Sequence, residues 1–331
     1  MTFVILTPLQ KEVGFFWTLK NFVRMKWLIT ILISLFIVIN VNAQYFPVFS
    51  QYLTNGLVIN PAYAGSREVL SAGLFYRNQM SGFKGSPNYE VFSVHTPLKN
   101  SNVGLGLLVL NENVGPVQNS HLYFNYAYKI LVGYESKIAL GFKAGINYCN
   151  YNLNKIFLND PADPSFAEGT QSFLLPNIGG GLYYYSTHFF LGLSIPYFLS
   201  YKEKNDHSGY TFYNDFNNYN FLLTSGYLFD FSNAFRLKPT IMFKYYGKKQ
   251  QQLDLNMTFI LFNDKIWIGG IYRMNEAIGG TLEVQINPQF RFCYSYEYTG
   301  GIANYFNYTS HEIGIRYEFN YKIKAFNPRY F

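Results

Sequence analysis

The chain is 331 residues long, and its 31 Tyr and 33 Phe give 20% aromatic content against 14% charged residues. The formal charge of +7 comes from dispersed Lys and Arg with no basic run, which excludes a nucleic-acid footprint. Mean hydropathy of -0.02 excludes a bundle of membrane helices, yet it fits a transmembrane barrel, whose lipid face and lumen face average out.

The first recognisable element is a secretory signal. Met25 and Lys26 start an apolar run, Trp27 to Ile39, and Asn40-Val41-Asn42-Ala43 supplies a small residue before the break. The run is shorter than the ~20 residues of a spanning helix. Cleavage after Ala43 is therefore expected, leaving Gln44 as the mature N-terminus. Residues 1–24 then read as a mis-assigned extension or a long basic lead-in, and a single anchoring helix is the alternative for 27–39.

Residues 44–68 show no clean alternation and carry Asn60-Pro61-Ala62-Tyr63-Ala64-Gly65. Pro61 lacks the donor a strand ladder needs, so this segment is expected to be a plug or a partner contact and not a strand. Mere capping of the barrel is the bland alternative.

From residue 69 onward the pattern is strand-like to the end. Fourteen stretches are predicted at about 69–78, 88–98, 102–112, 119–132, 137–152, 178–186, 187–198, 219–231, 234–246, 251–263, 265–274, 277–287, 289–299 and 309–323. In the last of them Ile313, Ile315, Tyr317 and Phe319 alternate with Glu312, Arg316 and Glu318. Successive strand side chains point to opposite faces, so one face expects lipid and the other water. An even strand number and aromatic bands are what an all-β, antiparallel outer-membrane barrel requires. Two stretches depart from the pattern: Leu108 and Leu110 fall on the inner parity, and Pro239 interrupts 234–246. Insertions at 154–176 and 199–218 are polar and expected to face outward, opposite tight turns such as Ser232-Asn233 and Asn263-Asp264.

Chemistry is sparse. His95, His121, His188, His207 and His311 form no metal or catalytic motif, and His311 and Glu312, as strand neighbours, point to opposite faces. Gly179-Gly180-Gly181 lacks the Lys-Ser/Thr of a phosphate loop and reads as a place of close backbone approach. Cys149 and Cys293 share no motif; export permits a disulfide between them without requiring it. Lys129, Lys143, Arg273, Glu283, Arg291, Glu297, Arg316 and Glu318 have inward parity, and either solvate the lumen or hold a plug. No cofactor or metal is implied, and no nucleophile and base can be paired, so a lipid enzyme is disfavoured.

A series of short motifs runs through the chain: Phe46-Pro47, Ser50-Gln51-Tyr52, Asn60-Pro61-Ala62-Tyr63-Ala64-Gly65, Arg77-Asn78-Gln79, Gly82-Phe83-Lys84-Gly85-Ser86-Pro87, Gly104, Asn111 and Gly115-Pro116. It continues through Leu140-Gly141, Ala144-Gly145, Lys238-Pro239, Asp254-Leu255-Asn256, Trp267-Ile268-Gly269, Tyr272-Arg273, Tyr294-Ser295-Tyr296 and His311-Glu312 to Asn327-Pro328-Arg329-Tyr330-Phe331. In these motifs the sequence closely resembles the PorP/SprF membrane proteins of the Bacteroidetes type IX secretion and gliding system. Met80 stands where the family usually has Trp, and Glu297 where it usually has Asp. The resemblance implies a non-enzymatic outer-membrane barrel of a Gram-negative cell, exported by the Sec route. Its implied partners are the C-terminal sorting domain of a secreted adhesin, other type IX components in the periplasm and outer membrane, and lipid. Asn60, Pro61, Tyr63, Gly65, Arg77 and Gln79 are the expected partner-binding or plug residues, and Tyr330 and Phe331 the insertion signal. A passive pore for small solutes is the competing expectation.

Overall fold

The computed structural model describes residues 49, 50, 52, 54–99, 102–152, 170–203, 210–232, 234–246, 251–299 and 308–319. The expected signal segment, the expected mature N-terminus at Gln44, Tyr330 and Phe331 lie outside these residues.

Among the described residues seventeen strand segments follow in chain order. They are β1 Leu70–Ser81, β2 Asn88–Pro97, β3 Val103–Val114, β4 Val117–Leu131, β5 Lys137–Asn152, β6 Thr170–Tyr185, β7 Phe189–Ile195, β8 Ser200–Glu203, β9 Tyr210–Tyr213, β10 Asn220–Tyr227, β11 Phe229–Ser232, β12 Phe235–Tyr246, β13 Gln251–Leu261, β14 Ile266–Arg273, β15 Ala277–Gln285, β16 Phe290–Thr299 and β17 Tyr308–Phe319. Sequential antiparallel pairing runs through the sheet, β1 pairs β17, and β10 pairs both β7 and β12, so the sheet closes as a 14-strand barrel. Closure leaves no strand edge in lipid, where an unsatisfied backbone group costs several kcal/mol.

Alternation fixes the faces. Ile313, Ile315, Tyr317 and Phe319 are exposed on the outer surface, while Glu312 and Arg316 are buried inside. On β5, Leu140, Phe142, Ile146 and Tyr148 face out and Ala139, Lys143 and Asn147 face in. A one-residue slip would exchange the two sets, so the register is strongly specified.

Four local expectations change. Strand β6 begins at Thr170 and not near 178, because Thr170 to Asn177 pair with Asn152 to Gly145, which shortens the predicted 154–176 insertion. The 199–218 insertion contains the β8–β9 hairpin. The stretch predicted at 219–231 is split at Leu228, whose N–H donates to His188 O at 2.7 Å. Pro239 does not interrupt β12: it pairs with Met257 on β13, and on its other side β10 stops at Tyr227 and β11 resumes at Phe229, so the missing donor falls where no partner is needed.

Connections at one barrel end are tight, including 186–188 and the turn of Phe262, Asn263 and Asp264, all at left-handed φ. At the other end β5 stops at Asn152 and β6 starts at Thr170, β7 stops at Ile195 and β10 starts at Asn220, and β16 stops at Thr299 and β17 starts at Tyr308. Both the entry to β1 and the exit of β17 lie at the short-turn end, as the antiparallel order requires.

Candidate functional site

The described part of the N-terminal segment lies inside the barrel. Gly56–Val58 and Pro61–Tyr63 are single 3₁₀ turns. Pro61 suits the first helical position because its missing N–H would be unpaired there anyway. Asn60 caps that turn, accepting from Ala62 N at 2.9 Å, and donates from Nδ2 to Leu182 O of the wall at 2.9 Å. Residue 49 sits near the long-loop end, where the Phe49 ring meets Tyr89 at 5.7 Å, and Glu68 reaches Lys137 at the short-turn end. The segment therefore runs down the lumen before the chain turns into β1.

The wall is shaped for it. Gly141 and Gly181 are paired across β5 and β6, and a Cβ on either would overlap Ala62 or Asn60. Gly104 on β3 would likewise overlap Ala64, while Gly65 adopts φ 70° beside it. Around this contact Leu57, Val58, Ala62, Tyr63 and Ala64 join inward Leu108, Leu110, Tyr123, Ala139, Tyr183, Met242 and Trp267 in one buried cluster. Full burial of a side chain such as Leu57 contributes about 1.5–3 kcal/mol. The inward parity of Leu108 and Leu110 has its cause here.

Polar anchors flank the apolar contact. Ser50 N donates to Glu312 at 2.9 Å, Ser50 Oγ donates to Glu297, and Arg77 donates to Ser50 Oγ at 2.5 Å. Arg77 also pairs with Glu297 at 2.6 Å and Glu312 at 3.2 Å, and Glu297 continues to Arg273, Asp254 and Lys244. A second group holds the middle: Thr54 Oγ1 donates to Glu283 at 2.8 Å, Arg316 donates to Thr54 O at 3.0 Å, and Arg291 pairs with Glu283 at 3.0 Å. Arg67 pairs with Glu318 at 2.6 Å and donates to Tyr63 Oη at 3.0 Å. Gly65 N donates to His95 Nδ1 at 3.1 Å, and Lys129 donates to Gly65 O at 3.3 Å. Asn256 donates to Tyr52 Oη at 2.6 Å; burial, reinforced by the Asp254 carboxylate, holds that phenol well above its ordinary pKa.

Of the expected site residues, Asn60, Pro61, Tyr63 and Gly65 therefore sit together against the wall, and Arg77, Glu283, Glu297, Arg316 and Glu318 touch the segment or its anchors. Gln79 is buried on β1 nearer the long-loop end. Arg273 and Arg291 act one step back, through Glu297 and Glu283. Lys143 stands apart, facing Tyr123 and Tyr197. Ser50, Thr54, Arg67, Lys244 and Asp254 were missed as anchors. Arg67 carried a signal, being the first charge after Lys26, and Ser50 and Asp254 lie in motifs quoted for the family resemblance; Thr54 carried none.

Cys149 and Cys293 are free thiols. His311 hydrogen-bonds Tyr294 Oη at 2.9 Å on the outer face, while Glu312 points inward, so the two share no site. Gly179 and Gly181 are places of close approach, to Pro196 and to Asn60. Among the described residues no three His, Cys, Asp or Glu are grouped to hold a metal ion.

Residues 41–317 match the family described as type IX secretion system membrane protein PorP/SprF. No curated protein matches the chain. Among solved structures, the CymD monoaromatic hydrocarbon channel is similar with a TM-score of 0.51 at 12% identity, covering 85% of this chain and 96% of its own. The toluene transporter TbuX of Ralstonia pickettii gives 0.47 at 8% identity over 85% and 97%. The KdgM porin gives 0.40 at 10% identity over 76% and 99%. At 12% identity the likeness to the CymD channel is one of fold alone, that of an outer-membrane barrel.

Proposed function

The chain belongs to the PorP/SprF family of type IX secretion system membrane proteins, and from that premise we propose that it is a closed receptor: a non-enzymatic outer-membrane barrel that binds or anchors the C-terminal sorting domain of a secreted adhesin and supports its surface display. The single observation that supports this over a passive pore is the occupied lumen. A 14-strand barrel that conducted solutes would need an open, hydrated interior. Here the described residues from Phe49 to Arg67 are buried against inward side chains and wall glycines, Ser50 and Thr54 are hydrogen-bonded to buried wall charges, and Arg67 is paired with Glu318. Sec export, signal removal after Ala43 and outward placement of the long-loop end belong to the same reading.

The adhesin C-terminal domain and periplasmic type IX components are the partners in this reading. Mild-detergent extraction of native membranes, affinity capture of the barrel and mass spectrometry test it. The expected result is stoichiometric recovery of an adhesin C-terminal domain. Recovery of the barrel alone, from cells that display the adhesin normally, would overturn it.

A further inference from the structure

Most buried cations inside the barrel face a carboxylate: Arg67 faces Glu318, Arg77 faces Glu297 and Glu312, Lys244 faces Asp254, Arg273 faces Glu297, and Arg291 faces Glu283. Lys143 on β5 does not. Its side chain is 3% exposed, and the contacts of its ammonium among the described residues are aromatic. Its ammonium lies 4.1 Å from the Tyr123 ring centroid and 4.5 Å from that of Tyr197. Two aromatic faces offset part of the cost of taking an ammonium out of water, but they supply no counter-charge. The balance favours an anion.

The position says which side the anion comes from. Lys143 is the next inward residue after Gly141, against which Ala62 is seated, so it lies just beyond the inner segment toward the long-loop end. Around it the surface is amide and phenol. Asn125, its register partner, is buried with an Oδ1 that makes no hydrogen bond, and Asn147 accepts from Tyr123 Oη at 2.5 Å and contacts His121 Nδ1 at 2.7 Å. Tyr197 sits on the connection leading into the long 196–219 loop, tied to the wall by Asn177 Nδ2 donating to Leu199 O at 3.1 Å and Phe198 N to Ile178 O at 2.9 Å. Amides and phenols beside one cation are the chemistry of a polypeptide carboxylate, not of a polyanion such as phosphate-rich nucleic acid, which would need several cations.

We propose that Lys143, with Tyr123 and Tyr197, is a docking point for a carboxylate of a polypeptide entering from the long-loop mouth, the carboxylate taking the place of the Tyr197 ring over the ammonium. The inference rests on the receptor reading only for the identity of that polypeptide.

The test uses the purified full barrel in detergent and three tripeptides: tri-glutamate blocked at both ends, tri-glutamine with a free C-terminus, and tri-glutamine blocked at both ends. Calorimetric titration separates side-chain carboxylate from terminal carboxylate. The expected result is that one of the two carboxylate peptides binds and the fully blocked amide does not. Lys143→Met, of similar length, should weaken binding at least about tenfold, and Lys143→Arg should stay within about threefold of the parent. Heat-modifiable migration of each variant establishes that it is folded. Binding by Lys143→Met equal to the parent, or no binding of any peptide to the parent, would overturn the inference. Peptide binding as stated, with no adhesin domain recovered from native membranes, would remove the adhesin reading and leave the carboxylate site standing.

Discussion

Arg77 on β1 and Glu297 on β16 meet at 2.6 Å across the single intervening strand β17, each side chain 1% exposed, and Ser50 of the inner segment bonds both. The barrel seam, where the first strand meets the last, is thus cross-linked from inside by the same groups that hold the segment. Glu297 also reaches Arg273 at 3.1 Å on β14, so one carboxylate joins three strands.

Breaking one member of such a buried set leaves an uncompensated charge, a loss of about 3–5 kcal/mol. Glu297→Ala should therefore lower resistance to urea by that order, read as loss of heat-modifiable migration in lipid vesicles. The double variant Arg77→Met with Glu297→Gln should cost less than the two single changes added, since both charges leave together. Strict additivity would mean the pair is not coupled.

Gly141→Val should disturb the inner segment, because the new side chain would occupy the volume of Ala62. Gly270→Val is the control: Gly270 faces out, with nothing within 4 Å of a Cβ placed there. Limited proteolysis reads the outcome, with cleavage between residues 49 and 68 in the first variant and protection in the second.

Ile315→Arg puts a charge on the lipid face at a cost of about 2–4 kcal/mol near the midplane, and should reduce folded barrel in the membrane sharply. Arg316→Ile should leave insertion near normal and act on the segment instead, since Arg316 donates to Thr54 O. Equal insertion defects in the two variants would contradict the assigned faces.

Asn60→Ala removes both the cap on Pro61–Tyr63 and the bond to Leu182 O. Loss of a cap of this kind costs about 1 kcal/mol. Hydrogen exchange at Ala62 and Tyr63 should quicken accordingly while the β17 amides are unchanged; uniform protection would remove Asn60 from the segment's support.

The barrel was legible because alternation is a local, repeated signal: Ile313 to Phe319 state their faces without reference to any other strand. Where that signal is weak, legibility fails. Thr170 to Pro176 read as part of an insertion because Pro176 and polar residues mask a strand defined only by its pairing with β5. The segment at Asn60 to Gly65 was recognisable from Pro61 and the broken alternation. Its fit to Gly104, Gly141 and Gly181 was not, since a glycine's use depends on what approaches it from a distant part of the chain. For the same reason the anchoring role of Ser50 and Thr54 was not legible, since their carboxylate partners on β15, β16 and β17 lie far off in the chain.

Conductance across a planar bilayer tests most directly whether the lumen is closed by residues 49–68. The parent barrel should show no stable open level, and a variant with Asn60-Pro61-Ala62-Tyr63 replaced by Gly and Ser residues, verified as folded by heat-modifiable migration, should open in discrete steps. A parent barrel that conducts as steadily as the replaced one would contradict a closed receptor and favour a passive pore.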